Sequence, residues 1–328
     1  MRAIVIREPG DETVLTVAEA PRPSLGPADV RIRVRATAVN RADLLQRQGL
    51  YPSPPGTSPL LGLECAGEVI EVGPEVRGIG VGERVMALLA GGGYAEETVV
   101  HHGSVLRVPD ALSDEDAGAF PEVFLTAFSN LFLPRLGALA PGEVALVHGG
   151  GGGVGTAAIL LLREAGHRCY VTAGSDEKCA RAVALGATAA INYRTTEFSA
   201  HVRELTAGAG VDVILDHIGA RYVAPNLSTL AVGGRLVEIG LMGGASGEVN
   251  LAALLMRRLS IIGSTLRSRP VEEKAAIVSA FRARFGTALD AGGLRPVVFK
   301  VLPLAEAAEA HRLMKSDAHF GKIVLRVA

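Results

Sequence analysis

Apolar and polar residues alternate along Val30-Arg31-Ile32-Arg33-Val34-Arg35-Ala36, the two-residue period of a strand with one face on a core. Gly67–Val72 and Glu83–Ala87 read as further short strands. Turn-forming pieces separate them: Gly73-Pro74, the glycines between Gly78 and Gly82, and Gly91-Gly92-Gly93. Tyr51-Pro52-Ser53-Pro54-Pro55-Gly56 is a loop. Short strands with glycine and proline turns predict a small barrel-like or sandwich-like unit. Near Ser113 the period lengthens. Ser113 is placed to cap a helix whose first turn carries Asp114, Glu115 and Asp116, where the helix dipole favours negative charge. A long apolar helical region spans Phe120–Leu133.

Strands and helices then alternate. The pattern predicts strands at Val144–Val147, Arg168–Ala173, Ala189–Asn192, Val211–Asp216 and Arg235–Ile239. Helices are predicted at Thr156–Ala165, Asp176–Leu185, Phe198–Leu205 and Tyr222–Leu230. This rhythm implies a parallel sheet covered by helices on both faces. Leu259–Thr265 adds a strand, Val271–Phe285 a helix, Val297–Val301 a strand, Ala305–Met314 a helix and Lys322–Val327 a last strand. The terminal pieces resemble the first third more than the middle. The expected organisation is an α/β domain, residues 121–263, inserted in a discontinuous β-rich domain, residues 1–120 plus 264–328.

Composition narrows the function classes. A chain of 328 residues is long enough for about two domains. With a net charge of -1 and 20% charged residues, nothing global points to nucleic acid or an acidic partner. Cys65, Cys169 and Cys179 include no CxxC pair, and so few cysteines in odd number fit a reducing compartment. Met1–Ile6 reaches Arg7-Glu8-Pro9-Gly10 too soon for a signal sequence, and no run approaches a membrane span. A cytoplasmic protein with no membrane partner is expected.

Chemistry enters at Val144–Val147, followed by His148, five glycines, Val154 and Gly155. Gly150, Gly152 and Gly155 have the spacing of a dinucleotide turn, where missing side chains let backbone approach a pyrophosphate at a helix N-terminus. Alone this is weak, because 40 of the residues are glycine. The next predicted strand ends at Ala173 without a carboxylate and runs into Gly174-Ser175-Asp176-Glu177-Lys178. An acid at that point suits the ribose hydroxyl of NAD; its absence beside hydroxyls and cations suits the 2′-phosphate of NADP. Ser175 and Lys178 fit a phosphate. The alternative is that Ser175 caps the helix and Lys178 is a solvated side chain, and the nearby Asp176 keeps NAD open.

A family resemblance rests on Ala38-Val39-Asn40-Arg41-Ala42-Asp43, Leu61–Gly67, Gly82–Val85, Leu125-Thr126-Ala127, the glycine turn, Gly174-Ser175, Ile191-Asn192-Tyr193, Gly240–Gly243 and Gly321–Val324. In order and spacing these resemble the medium-chain dehydrogenase/reductase superfamily, and within it the zinc-free quinone oxidoreductases, the zeta-crystallin-like and p53-inducible enzymes. The resemblance implies a Rossmann doubly wound parallel sheet inserted in a discontinuous GroES-like domain. Zinc members carry cysteine where this chain has Asn40 and histidine where it has Leu63, and neither replacement suits a tetrahedral zinc. The four-cysteine lobe is missing between Leu88 and Tyr94. His101, His102 and His148 are read as ordinary strand or turn residues.

The implied activity is NADPH-dependent reduction of quinones or electron-poor enones. Reduction of 2-alkenals or enoyl-thioesters is the enzymatic alternative, and a non-catalytic NADPH-binding role, crystallin-like or RNA-binding, the other. By resemblance, Gly152, Gly153, Val154 and Gly155 face the pyrophosphate. Gly174, Ser175, Lys178 and Tyr193 surround the adenosine ribose and its phosphate. Gly240, Leu241, Met242, Ser264, Thr265 and Leu266 lie near the nicotinamide. Asn40, Asp43, Tyr51 and Thr126 border the substrate. Tyr51 is either a hydrogen-bond donor to substrate oxygen or an aromatic packing its proline-rich loop. Asn40 and Asp43 are read as pins for the loop or cofactor. Lys322 is either a site-lining cation or a surface lysine, and Cys65 is small core filler. No basic stripe supports RNA. The apolar strand Leu259–Gly263 suits pairing across a two-fold axis, so a homodimer is expected.

Overall fold

The computed structural model describes residues 1–327. Its strands are β1 (Arg2–Ile6), β2 (Leu15–Glu19), β3 (Asp29–Ala38), β4 (Glu64–Val72), β5 (Arg84–Leu88), β6 (Glu97–His101), β7 (Val105–Arg107), β8 (Val144–Val147), β9 (Arg168–Ala173), β10 (Ala189–Asn192), β11 (Val211–Asp216), β12 (Leu230–Glu238), β13 (Ser260–Gly263), β14 (Val298–Pro303) and β15 (Lys322–Arg326). The helices are α1 (Arg41–Arg47), α2 (Asp114–Gly118), α3 (Pro121–Phe132), α4 (Gly153–Glu164), α5 (Asp176–Leu185), α6 (Phe198–Leu205), α7 (Ala220–Thr229), α8 (Leu251–Met256), α9 (Val271–Asp290) and α10 (Ala307–Ser316). Two compact units result: Met1–Leu125 with Leu266–Ala328, and Thr126–Thr265.

The first unit is built on a sheet of order β14-β15-β3-β4-β5-β7, with β6 also on β3. Every pairing in it is antiparallel except β14 with β15. β3 follows its alternation: Val30, Ile32 and Val34 are buried with the core cluster around Val69, Val85 and Ile323. Arg31 departs from it. The side chain is buried, held at 2.8 Å by Glu71 and at 2.8 Å by the Pro23 carbonyl, so its burial does not leave a bare charge. The expected cap at Ser113 is present: its Oγ accepts from Asp116 N while Asp116 accepts from Ser113 N.

The second unit is a six-stranded sheet of order β10-β9-β8-β11-β12-β13, parallel at every pairing. Its fully apolar β8 is buried at all four positions, as a central parallel strand requires. Two helix starts differ from expectation. The helix after the glycines begins at Gly153 rather than Thr156, and α7 begins at Ala220 rather than Tyr222. Glycine's poor helix propensity hid the first. Among the described residues no helix is long and apolar enough to cross a membrane.

Candidate functional site

In the second unit β8 ends in the glycine turn, and the need for glycine is steric. Gly149 has φ +67°, and a Cβ there would lie 2.3 Å from the His217 ring. A Cβ on Gly150 would meet Val171 at 2.7 Å, and one on Gly155 would lie 2.2 Å from the Gly149 carbonyl oxygen. Gly149 thus has a structural reason that spacing alone did not supply. Gly152 stands at the N-cap of the twelve-residue α4, with no side-chain cap, so its first-turn amides are left for an acceptor from outside the helix. Gly153 and Val154 form that first turn.

Beneath the turn lies a polar chain. His148 is buried between the Thr172 hydroxyl, 3.0 Å from Nδ1, and Asn226 Oδ1, 2.7 Å from Nε2; burial holds its imidazole down to about 4. Asn226 Nδ2 donates to Asp216 at 2.9 Å, and Asp216 also accepts from the amides of Ile218 and Gly219. Glu238 is the in-register neighbour of Asp216 on β12. Burial, and then the Asp216 charge, push the Glu238 carboxyl up to about 8. Strand pairing alone brings these two acids together, so only the register could have revealed them.

At the end of β9, Ser175 Oγ accepts from Lys178 N at 3.2 Å, the capping arrangement. Gly174 is packed so that a Cβ would lie 2.8 Å from the Tyr193 hydroxyl and 3.6 Å from Arg194 Nε. Arg194 is therefore a cation at this strand end that the sequence pattern did not reveal. Asp176 accepts from Asn192 Nδ2 at 2.8 Å. Beyond β12, Gly240 lies against His217, the exposed Met242 donates its amide to His217 O, and Ser264 N donates to Glu238 O. Leu241 is likewise exposed, and Thr265 closes the unit. Thr126, in α3, is buried, its carbonyl accepting from Asn130 Nδ2 at 2.8 Å.

The first unit holds a second polar network. Lys322 is 2% exposed, which overturns the surface-lysine reading. Its Nζ donates to Val39 O at 2.9 Å, Asn40 Oδ1 at 2.7 Å and Glu64 Oε1 at 2.8 Å. Asn40 Nδ2 donates to the same Glu64 oxygen at 2.8 Å, and Glu122 N donates to Glu64 Oε2 at 2.9 Å. Asn40 stands at the N-cap of α1, and the Asp43 carboxylate takes the amides of Asn40 and Gly62. Burial pushes Asp43 up to about 6. Both residues pin backbone.

From Asp43 the network runs on in one direction. Arg47 can only donate, so His311 Nδ1, 3.3 Å from Arg47 Nη1, is the acceptor nitrogen. Burial, with Arg47 beside it, holds His311 down to about 3, so the ring is neutral and Nε2 carries the proton. Nε2 then donates to the Tyr94 oxygen at 3.2 Å, and Tyr94 donates to Asp43 Oδ2 at 3.3 Å. Tyr94, His311 and Arg47 come from three distant segments and carried no sequence signal.

Tyr51 sits against Arg267, whose guanidinium carbon is 5.2 Å from the ring centre. Arg267 is itself fixed by Ala90 O, Tyr51 O, Gln46 Oε1 and Ser53 Oγ. Leu266, just before it, is buried. Cys65 is buried in β4, and burial pushes its thiol upward, which suits filler and not a nucleophile. Among the described residues no group of three or more His, Cys, Asp or Glu is arranged to hold a metal ion.

Comparison with known proteins gives the lineage. The family model described as zinc-binding dehydrogenase matches residues 153–281, and that described as alcohol dehydrogenase GroES-like domain matches 26–110. A phenolphthiocerol/phthiocerol polyketide synthase of Mycobacterium tuberculosis is 34% identical over 98% of this chain, which spans only 14% of that protein's length. An NAD-dependent alcohol dehydrogenase structure is 37% identical with a TM-score of 0.87, covering all of both chains. The Escherichia coli quinone oxidoreductase complexed with NADPH is 27% identical with a TM-score of 0.86, again over all of both. The parallel sheet is thus Rossmann-like and the antiparallel unit GroES-like, and the chain belongs to the medium-chain dehydrogenase/reductase superfamily of oxidoreductases.

Proposed function

We propose that this protein is an NADPH-dependent, zinc-independent reductase of quinones and related electron-poor enones, placed with the zinc-free quinone oxidoreductases and working in the cytoplasm. The observation that carries the reading is the glycine cradle followed by a strand end whose near groups are Ser175, Lys178, Tyr193 and Arg194. Asp176, the acid next to Ser175, is engaged by Asn192 at the start of α5. A 2′-phosphate finds donors and cations there, while the strand end itself offers no carboxylate to a ribose hydroxyl. Gly152, Gly153, Val154 and Gly155 hold the pyrophosphate, and Gly240, Leu241, Met242, Ser264, Thr265 and Leu266 flank the nicotinamide. Lys178→Ala is expected to weaken NADPH about tenfold and NADH less than twofold, measured by fluorescence titration. Equal losses would remove Lys178 from the phosphate site.

Zinc does not fit the positions that hold it in zinc relatives. Leu63 is an apolar buried side chain, and both ends of the Asn40 amide are committed, the oxygen to the Lys322 ammonium. A divalent cation would meet that ammonium within a few ångströms. When bound, NADPH supplies the hydride. The chain's own part is to bind and orient: Asn40 and Thr126 border the acceptor, Asp43 pins the backbone that carries Asn40, and Tyr51 donates a hydrogen bond to the acceptor oxygen as negative charge develops there.

A second reading, reduction of an enoyl-thioester, is favoured by the likeness to a segment of the polyketide synthase. A screen of NADPH oxidation with ortho- and para-quinones, 2-alkenals and an enoyl-thioester separates the two by relative kcat/KM. Turnover of none, with NADPH still bound, would leave only the non-catalytic role. We also propose a homodimer. The edge strand β13 exposes Ile261, and α8 exposes Leu251, Leu255 and Met256, an apolar edge that a second copy would cover. A monomeric mass at micromolar concentration would rule this out.

A further inference from the structure

Arg267 of the first unit is a buried cation held by neutral groups. It is 3% exposed, and the oxygens that take its N–H groups are all uncharged. Nε donates to Ala90 O at 2.8 Å and Nη1 to Tyr51 O at 3.3 Å, while Nη2 donates to Gln46 Oε1 at 2.7 Å and Ser53 Oγ at 3.0 Å. Its guanidinium carbon lies over the Tyr51 ring, 5.2 Å from the centre, where the negative face of the π system attracts a cation. A buried charge persists only where something compensates it, and here that is four dipoles and one ring.

The loop it holds lacks the donors to hold itself. Pro52, Pro54, Pro55 and Pro59 carry no N–H. The loop's own bonds, from Thr57 N and Oγ1 to Pro54 O and from Leu60 N to Ser58 Oγ, all lie beyond Ser53. Residues 51–53 are anchored from outside, by Arg267 and by Gln46 of α1, whose Nε2 donates to Ser53 Oγ at 3.1 Å and to Pro59 O at 2.9 Å. Gln46 and Arg267 are themselves bonded, so α1, the loop and the segment after Leu266 are tied at one guanidinium. A rigid planar fork lets a single side chain serve Tyr51 O and Ser53 Oγ while it lies on the ring.

We propose that Arg267 is the positioning residue of Tyr51: it holds the ring and the backbone of residues 51–53 in the orientation from which the phenol donates to the acceptor oxygen, and its charge, which no hydrogen-bonded carboxylate neutralises, favours the negative charge that develops there. The inference rests on the reading of Tyr51 as a hydrogen-bond donor given above. Arg267 acts through Tyr51. Burial raises the Tyr51 phenol and Arg267 draws it back, the direction that strengthens a donor to a developing anion.

The test is a double-mutant cycle on the full chain, with Tyr51→Phe, Arg267→Met and the two combined, using a quinone that the unaltered protein reduces. Tyr51→Phe should lower kcat about a hundredfold, the usual loss when one donor to an anionic oxygen is removed. Arg267→Met should lower kcat at least about tenfold with KM changed less than about threefold, and the combined variant should stay within about twofold of Tyr51→Phe. Losses that multiply, or an Arg267→Met variant that keeps its kcat, overturn the proposal and leave the reductase reading standing. Full turnover by Tyr51→Phe removes the donor itself, and the proposal with it. A second readout needs no turnover. With tyrosine ring-labelled for NMR, five side chains report, and Tyr51→Phe identifies the signal of Tyr51. Arg267→Met should shift that signal and leave the others in place; an unmoved Tyr51 signal overturns the proposal. Should Arg267→Met not fold, Arg267→Lys, which keeps a charged stem and loses the fork, replaces it in both measurements with the same non-additivity and the same shift expected. If no acceptor is turned over, the reductase reading falls, and the ring signal alone decides whether Arg267 positions Tyr51.

Discussion

Gly155→Ala is expected to weaken NADPH binding by more than a hundredfold and to lower the unfolding midpoint. The Cβ would lie 2.2 Å from the Gly149 carbonyl oxygen and 2.7 Å from Gly150 Cα, and both obstacles are backbone. Relief requires the turn to open, because no flexible side chain is there to give way. Forced repacking of this kind costs about 1–3 kcal/mol in a well-packed site. The larger effect is on binding, since the displaced segment is the one that presents the α4 amides. Gly152→Ala is the control. Its Cβ would come no closer than 3.4 Å to Gly149 O, and the residue has an ordinary extended conformation with φ -82°. That variant should keep its thermal midpoint and lose affinity only through crowding of the bound phosphates. Calorimetric titration and a thermal melt on both decide it. Binding within about threefold of the original in Gly155→Ala would show that the turn does not cradle the dinucleotide.

The contrast between those glycines shows what sequence could and could not carry. β8 was readable because a buried parallel strand is apolar at every position, and α5 because Ser175 caps it and two acids open it. The short elements were harder. α1 is seven residues long and half polar, and β1 and β2 pair only with each other apart from one bridge to Ala95. Their identity depends on neighbours. The site divides in the same way. Gly150, Gly152 and Gly155 announce themselves by spacing, whereas Gly149 is required by His217, which lies 68 residues further along. Asp216 and Glu238, or Arg47, His311 and Tyr94, meet only through strand register and packing. A lysine opening a terminal strand looks solvated until Glu64 and Asn40 are found around it.

That lysine gives the other large effect. Lys322→Met keeps most of the side-chain volume and removes the ammonium, leaving Glu64 buried with only Asn40 Nδ2 and Glu122 N as partners. Breaking a buried ion pair on one side typically costs about 3–5 kcal/mol, because an uncompensated charge remains in the interior. The first unit should therefore unfold at markedly lower urea, read by hydrogen exchange of the β3–β4 ladder. Lys322→Met with Glu64→Gln should recover most of the loss, since position 64 then carries no unpaired charge and its amide still accepts from Asn40 or Glu122. A single-variant loss under about 1 kcal/mol, or a double variant no better than the single, would show that Lys322 is not the counter-ion of Glu64. Activity and stability should then separate. The double variant restores the fold, yet Val39 O and Asn40 Oδ1 remain without their donor and the Glu122 amide faces a neutral partner. Turnover is expected to stay below that of the unaltered protein even where stability has returned, because these contacts fix the backbone that carries Asn40, Asp43 and the head of α3.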